Sequence, residues 1–271
     1  MARFVFQDKS IYYEEHGKGR PIVVLNGIMM STASWAEFVE PFSADNRLIL
    51  LDMLDQGRSD HMDGPFSQAL QVDVVLALLD HLELDKVCML GISYGGEVAL
   101  RFALEHGDRL DRLMLFNTTS RTGPWLGDIG DAWNLAAHDA DAYYLTTIPV
   151  IYSPKFYRDN NAWMEHRREV LRPVFGNPKF VEAMIRLTNS SSDYDVSDRL
   201  EEIKTPTMIV SCMEDYLTPM EEQRYIADRI PDCQYVLIPG CGHASMYEKP
   251  VLFTALTLGF FNNVKEKFNI L

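Results

Sequence analysis

Ser93 stands in Gly91-Ile92-Ser93-Tyr94-Gly95-Gly96, a G-x-S-x-G pattern. A serine hydroxyl attacks a carbonyl carbon only when a base takes its proton, and the base works best when a carboxylate orients it. His243, in Pro239-Gly240-Cys241-Gly242-His243, is the candidate base. The other histidines are worse placed: His16 precedes the sheet, His81 and His106 sit near helix ends, His138 and His166 fall in a helical stretch, and His61 lies in a polar loop. Asp215, in Met213-Glu214-Asp215-Tyr216-Leu217-Thr218-Pro219, is the candidate acid. Its neighbour Glu214 points elsewhere, because successive side chains diverge. The chemistry such a set performs is acyl transfer through a covalent serine ester.

These residues need a frame. Lys86-Val87-Cys88-Met89-Leu90 reads as a buried strand, and Val98, Ala99, Phe102 and Ala103 follow at helical spacing. Ser93 therefore occupies a strand-to-helix turn, the context of a nucleophile elbow. The glycines let backbone crowd that turn. The opening helix aims its N–H groups at the place where negative charge develops. Ile22–Leu25, Leu48–Leu51, Arg112–Asn117, Thr207–Ser211 and Gln234–Ile238 read as further strands, after an opening hairpin with a turn at 7–10. Helices are expected at Trp35–Phe42, Val72–Leu79, Pro219–Ile230 and about 250–266, with Thr218 to Glu221 as a capping box and Pro219 at the first helical position. From 21 to 117 strands and helices alternate, which predicts a mostly parallel, doubly wound sheet of the α/β class. Residues 121–198 break that rhythm with helical pieces and no buried strand. They read as a helical lid inserted into a core formed by 1–120 and 199–271. In a doubly wound sheet reactive groups gather at the carboxyl ends of strands, where Ser93, Asp215 and His243 all fall.

Composition narrows the function. The 271 residues are 47% apolar, and the formal net charge is −14. So acidic a surface repels phosphate backbones and anionic membranes, which argues against nucleic acid or membrane partners. Four cysteines without C-x-x-C spacing suggest free thiols in a reducing compartment, not a metal site. No signal-peptide core opens the sequence and no apolar run reaches membrane-spanning length, so a soluble, cytoplasmic protein is expected.

The chain resembles α/β-hydrolase fold proteins along essentially its whole length. The matching motifs are Leu25-Asn26-Gly27-Ile28, Asp52 with Gly57-Arg58-Ser59-Asp60, the Ser93 turn, Asp215 with Pro219, and Gly242-His243. Ser93, Asp215 and His243 also follow the chain order of that family. The resemblance implies an oxyanion hole from the backbone N–H groups of Ile28 and Tyr94, and no metal or other cofactor. Asn26 departs from the family, where His usually precedes that glycine. With the stretch Ile28–Trp35 it is similar to a hydroxyacyl-transfer branch.

The reading is a serine esterase-like hydrolase that cleaves a small-molecule carboxylic ester or thioester. Asn26, Met29, Met30, Trp125, Trp133 and Trp163 are candidate pocket residues, with Tyr143 and Tyr144 beside them. The 52–60 loop reads as structural. Two alternatives share the fold: an acyltransferase that passes a (hydroxy)acyl group to an acceptor other than water, and a non-catalytic ligand receptor. The sequence leaves the oligomeric state open.

Overall fold

Runs of β-branched and leucine side chains suit strands covered on both faces. In the computed structural model, which describes residues 2–263, such runs form the middle of an eight-stranded sheet. The strands are β1 (Ala2–Phe6), β2 (Lys9–His16), β3 (Arg20–Leu25), β4 (Asn46–Leu51), β5 (Val87–Ile92), β6 (Leu110–Phe116), β7 (Thr207–Cys212) and β8 (Cys233–Ile238). They lie in the order β1-β2-β4-β3-β5-β6-β7-β8. β1 and β2 pair antiparallel, β2 meets β4 antiparallel, and β3 to β8 run parallel.

The helices are α1 (Val39–Ser43), α2 (Ala69–His81), α3 (Tyr94–Glu105), α4 (Pro124–Ala136), α5 (Ala140–Ile151), α6 (Pro154–Asp159), α7 (Asn161–Phe175), α8 (Pro178–Ser190), α9 (Met220–Ala227), α10 (Ser245–Glu248) and α11 (Pro250–Asn262). Side chains alternate across a strand, so β3 and β4 feed two cores. Val23, Leu25, Ile49 and Leu51 pack with Val72, Val75, Val98 and Phe102 from α2 and α3. Ile22, Val24, Leu48 and Leu50 pack with Trp35, Phe42 and Phe253 on the other face. The Phe253 ring lies 4.3 Å from that of Phe116 and 5.4 Å from that of Phe38, which ties α11 to the sheet.

Three expectations shift. The helix expected over Trp35–Phe42 is a 3-10 segment (Thr32–Phe38) followed by α1. Pro41 has no N–H to donate to the carbonyl of Glu37, which weakens a continuous α-helix through both. The opening hairpin turns more tightly than 7–10, since β2 already begins at Lys9, with Gln7 at φ 53°. The helix expected to about 266 is α11, ending at Asn262. Its last expected residues, like Met1 and 264–271 of the expected core ranges, lie outside the described residues.

Between β6 and β7 come α4 to α8 in succession, with an isolated bridge between Arg121 and Asp195 but no strand among the described residues. This segment is tied to the 52–60 loop by a partly buried ion pair. Arg186 of α8 donates to both carboxylate oxygens of Asp55, at 2.6 and 2.9 Å. The rest of the 52–60 loop is hydrogen-bonded to itself and to the sheet. Asp52 accepts the N–H groups of Thr32 at 2.6 Å and Arg58 at 2.9 Å, and Gly57 takes φ 52° beside its carboxylate. No helix among the described residues is long and apolar enough to cross a membrane.

Candidate active site

The turn between β5 and α3 forces Ser93 to φ 53° and ψ −122°, a conformation rarely taken by a residue with a Cβ. Close packing holds it there. A Cβ at Gly91 would lie 2.6 Å from the Gly95 carbonyl oxygen, and one at Gly95 would overlap the Leu25 carbonyl. The Ser93 N–H donates to Phe116 at 3.0 Å, and its carbonyl accepts Thr118 Oγ1 at 2.8 Å. Tyr94 opens α3, so its N–H has no intrahelical acceptor. Its hydroxyl is buried 2.8 Å from Ser190 Oγ.

Asp215 and His243 follow β7 and β8. The His243 ring sits with Nδ1 2.9 Å from Oδ2 and 3.1 Å from Oδ1 of Asp215. The carboxylate is saturated with donors: the N–H groups of Leu217 at 3.0 Å and Thr218 at 2.9 Å, the Thr218 hydroxyl at 2.9 Å, and the Asn117 amide at 2.9 Å. Burial alone would push its pKa up; the His243 ring, with the Thr218 and Asn117 hydrogen bonds, holds it below the usual carboxylate range. Glu214 is only half-buried, and its backbone N–H donates to Cys241.

Two cavities meet at Ser93. A narrow one of about 110 Å³ is lined by Ser93 and His243 with Met29, Met30, Ile148, Ile151 and Phe175. A wider one of about 470 Å³ runs between α4 and the end of α8, past Glu97, Thr122, Asn189 and Ser192. Ile28, Trp133 and Leu217 line both.

Of the expected pocket residues, Met29, Met30 and Trp133 line a cavity at Ser93, and three others do not. Asn26 is buried beneath, where its Oδ1 accepts Trp35 Nε1 at 2.7 Å and its Nδ2 donates to Leu51 at 2.8 Å. Trp125 lies on the outer side of the first turn of α4, 59% exposed, with its indole N–H on the Tyr216 carbonyl. Trp163 packs on Tyr152, Phe156 and Tyr247 beside a separate surface groove. Tyr143 and Tyr144 fill the interior of the helical segment, their rings against Phe175.

The capping box is also corrected. Pro219, not Thr218, precedes α9, and the Thr218 hydroxyl goes to Asp215 instead. Asn117 is a site residue that sequence reasoning missed. At φ 48° just past β6, it donates to Asp215 and accepts Ser245 Oγ at 2.9 Å. The rule that points to carboxyl ends of strands, applied to β6, would have found it.

Residues 20–250 match the alpha/beta hydrolase fold family. The chain is an α/β-hydrolase. A similar solved structure is MGS-M2, an alpha/beta hydrolase enzyme from a Medee basin deep-sea metagenome library, with 47% identity, a TM-score of 0.97, and coverage of 99% of this chain and 100% of that one. Est816, described as an N-acyl homoserine lactone degrading enzyme, matches at 26% identity and TM-score 0.83 over 96% of this chain and 100% of its own. Among curated proteins, the one named "Putative carbamate hydrolase RutD" from Caulobacter sp. (strain K31) is 29% identical over 259 residues, 93% of this chain and 96% of the relative.

This α/β-hydrolase also carries a buried acid on the wide cavity. Glu97 is 4% exposed, and its Oε2 accepts Gln68 Nε2 at 2.6 Å. Burial pushes its pKa up to about 8, against the Gln68 hydrogen bond and the Arg101 charge. It therefore keeps its proton at neutral pH. A pKa raised on folding gives stability that is complete below the unfolded value, 4.5, and is lost as pH rises through the folded one. Glu97→Gln, which mimics the neutral acid, is expected to flatten that loss. Thermal melts at pH 5 and pH 8 should show a larger fall for the wild type than for the variant; equal falls would show that Glu97 is ionised in the fold.

Proposed function

We propose that this chain is a serine hydrolase that cleaves a carboxylic ester or thioester through an acyl-enzyme on Ser93. The observation that carries the proposal is the shared cavity of Ser93 and His243, with Asp215 held to the far side of the imidazole. A neutral imidazole whose Nδ1–H donates a hydrogen bond to a carboxylate keeps its basic lone pair on Nε2. That nitrogen takes the Ser93 proton as the hydroxyl attacks, and returns it to the leaving group. Asp215 fixes the tautomer and steadies the imidazolium. The N–H groups of Ile28 and Tyr94 hold the oxyanion, each worth ~3 kcal/mol to the transition state. Water activated by His243 then frees the acid. No cofactor enters the scheme.

The narrow cavity takes the acyl group and the wide one the leaving group. A water-sized group needs about 10–15 Å³ of such space, so about 110 Å³ suits an acyl group on the order of ten heavy atoms or fewer. Residues 121–198 serve as the lid, since Trp133, Ile148, Ile151 and Phe175 from that segment cover Ser93. Four free thiols, three of them buried, fit a cytoplasmic setting.

The wide cavity also favours a second reading, in which an acyl acceptor other than water sits there. A series of 4-nitrophenyl esters from acetate to decanoate, with intact-protein mass spectrometry, tests both. Turnover is expected to peak at short chains and fall steeply beyond octanoate, with a transient acyl adduct on Ser93. Absence of that adduct under rapid quench would overturn the acyl-enzyme. An acylated alcohol among the products when glycerol or a hydroxy acid is added would move the reading to transfer.

A further inference from the structure

The narrow cavity is mostly apolar, with Ser34, Ser93, Thr147, His243 and Ser245 also in its wall, and it carries one permanent charge, Arg167. Arg167, Leu171 and Phe175 follow at four-residue intervals along α7, so they share one face of the helix, and all three line the cavity with Ser93. The Arg167 guanidinium is surrounded by rings: its carbon lies 4.8 Å from the centroid of Tyr247, 5.3 Å from Trp163 and 5.9 Å from Tyr152. Its Nε is buried and has no hydrogen-bond partner. No carboxylate among the described residues forms an ion pair with it, and no Asp or Glu lines the cavity. The acid on the neighbouring α10, Glu248, has its oxygens engaged elsewhere. They accept the Ser153 N–H and Oγ, each at 2.6 Å, and the Gly242 N–H at 3.1 Å.

A guanidinium cannot shed its charge, and an unpaired N–H in an apolar wall is costly. Aromatic faces offset part of that through cation–π attraction but accept no N–H in the plane of the fork. A planar anion suits such a group, since a carboxylate meets the fork through two parallel hydrogen bonds. The wide cavity has the opposite character. The exposed carboxylates Asp128 and Asp131 are among its lining residues, beside the neutral acid Glu97, and no Lys, Arg or His is.

We infer that Arg167 is a specificity residue that binds a carboxylate at the far end of the acyl group, so that the preferred substrates are monoesters of short dicarboxylic acids with an uncharged alcohol. This rests on the serine hydrolase reading for the reaction, though not for the binding. In the reaction the acyl C–O bond breaks, the alcohol leaves with the proton that His243 received from Ser93, and the oxygen of water ends on the acyl carbon. The product is a dicarboxylate, one end of which arrived already ionised. A five-carbon diacid falls within the room estimated for the acyl side. The acidic lining of the leaving-group side disfavours esters and thioesters whose leaving group carries phosphates.

The experiment compares monomethyl glutarate with methyl pentanoate, which differ by a carboxylate in place of a terminal methyl. Wild-type kcat/KM is expected to favour the glutarate ester by about tenfold or more. Arg167→Met should cost that ester about ten- to a hundredfold, mainly in KM, and leave pentanoate within about threefold; Arg167→Lys should recover part of the loss. Equal losses on both esters, or a wild type that prefers pentanoate, would overturn the inference and make Arg167 a packing residue. Calorimetry on Ser93→Ala reads binding without turnover. Ser93→Ala should bind monomethyl glutarate, and Ser93→Ala with Arg167→Met should not. Equal binding by the two proteins overturns the inference. Arg167-dependent binding in a protein that never acylates Ser93 keeps it and removes the hydrolase reading instead.

Discussion

Ser93→Ala is expected to leave the protein folded and to lower kcat by about 10⁴-fold or more. The large loss follows from position. Ser93 follows β5, opens onto both cavities, and is held there by the crowding at Gly91 and Gly95. The fold should survive because the change removes one oxygen and keeps the Cβ, and the backbone bonds of Ser93 to Phe116 and Thr118 do not involve its side chain. KM should change far less than kcat, since the lost interaction belongs to the transition state. Initial rates on the best short-chain ester, with circular dichroism as the control, check it. A folded variant within tenfold of wild type would remove Ser93 from the mechanism.

The second large effect separates two adjacent acids. Asp215→Asn is expected to lower kcat by roughly 10⁴-fold, and Glu214→Gln by no more than a few fold. Asparagine would keep the shape but present a neutral amide to Nδ1. The ring would then lose both its tautomer control and the charge that stabilises the imidazolium. Asp215 accepts from Leu217, Thr218, Asn117 and His243, so an amide in its place would also set N–H against N–H. Glu214 reaches none of these groups through its side chain. Parallel kcat measurements decide the matter, and a crippled Glu214→Gln beside an active Asp215→Asn would reverse the assignment.

The strands were legible because burial on both faces demands a composition that few other structures tolerate. Ile22–Leu25 and Leu48–Leu51 have no polar face to offer to solvent, and they became β3 and β4. The Ser93 turn was legible because its glycines answer a backbone need that acts within six residues. What escaped depends on contacts between distant segments. Asn117 belongs to no local pattern and becomes a partner of Asp215 only when β6 and β7 lie side by side. Thr218 fits a capping pattern locally, but the carboxylate three residues earlier takes its hydroxyl. Trp125 and Trp163 are the right residue types for an apolar wall, yet type does not say which side of α4 or α7 turns inward. Arg167 went unnoticed for the same reason, since a charged residue on a polar helix reads as solvated.

The interval between β6 and β7 has a consequence for how this architecture can change. β6 ends at Phe116 and β7 begins at Thr207, yet the two are adjacent and in parallel register. Closing so long a connection costs little more than closing a short one, because the entropy grows with the logarithm of length, about 0.6 kcal/mol per doubling. The sheet therefore constrains the length and content of that connection only weakly. Residues could be gained or lost in the turns between its helices at little entropic cost to the sheet, provided its ends still meet at Phe116 and Thr207 and the Arg186–Asp55 anchor is kept. The groups that would break and make bonds come from the part of the chain that tolerates least change, and much of the cavity wall from the part that tolerates most. Substrate range can thus drift by insertion and deletion while the reaction chemistry stays fixed.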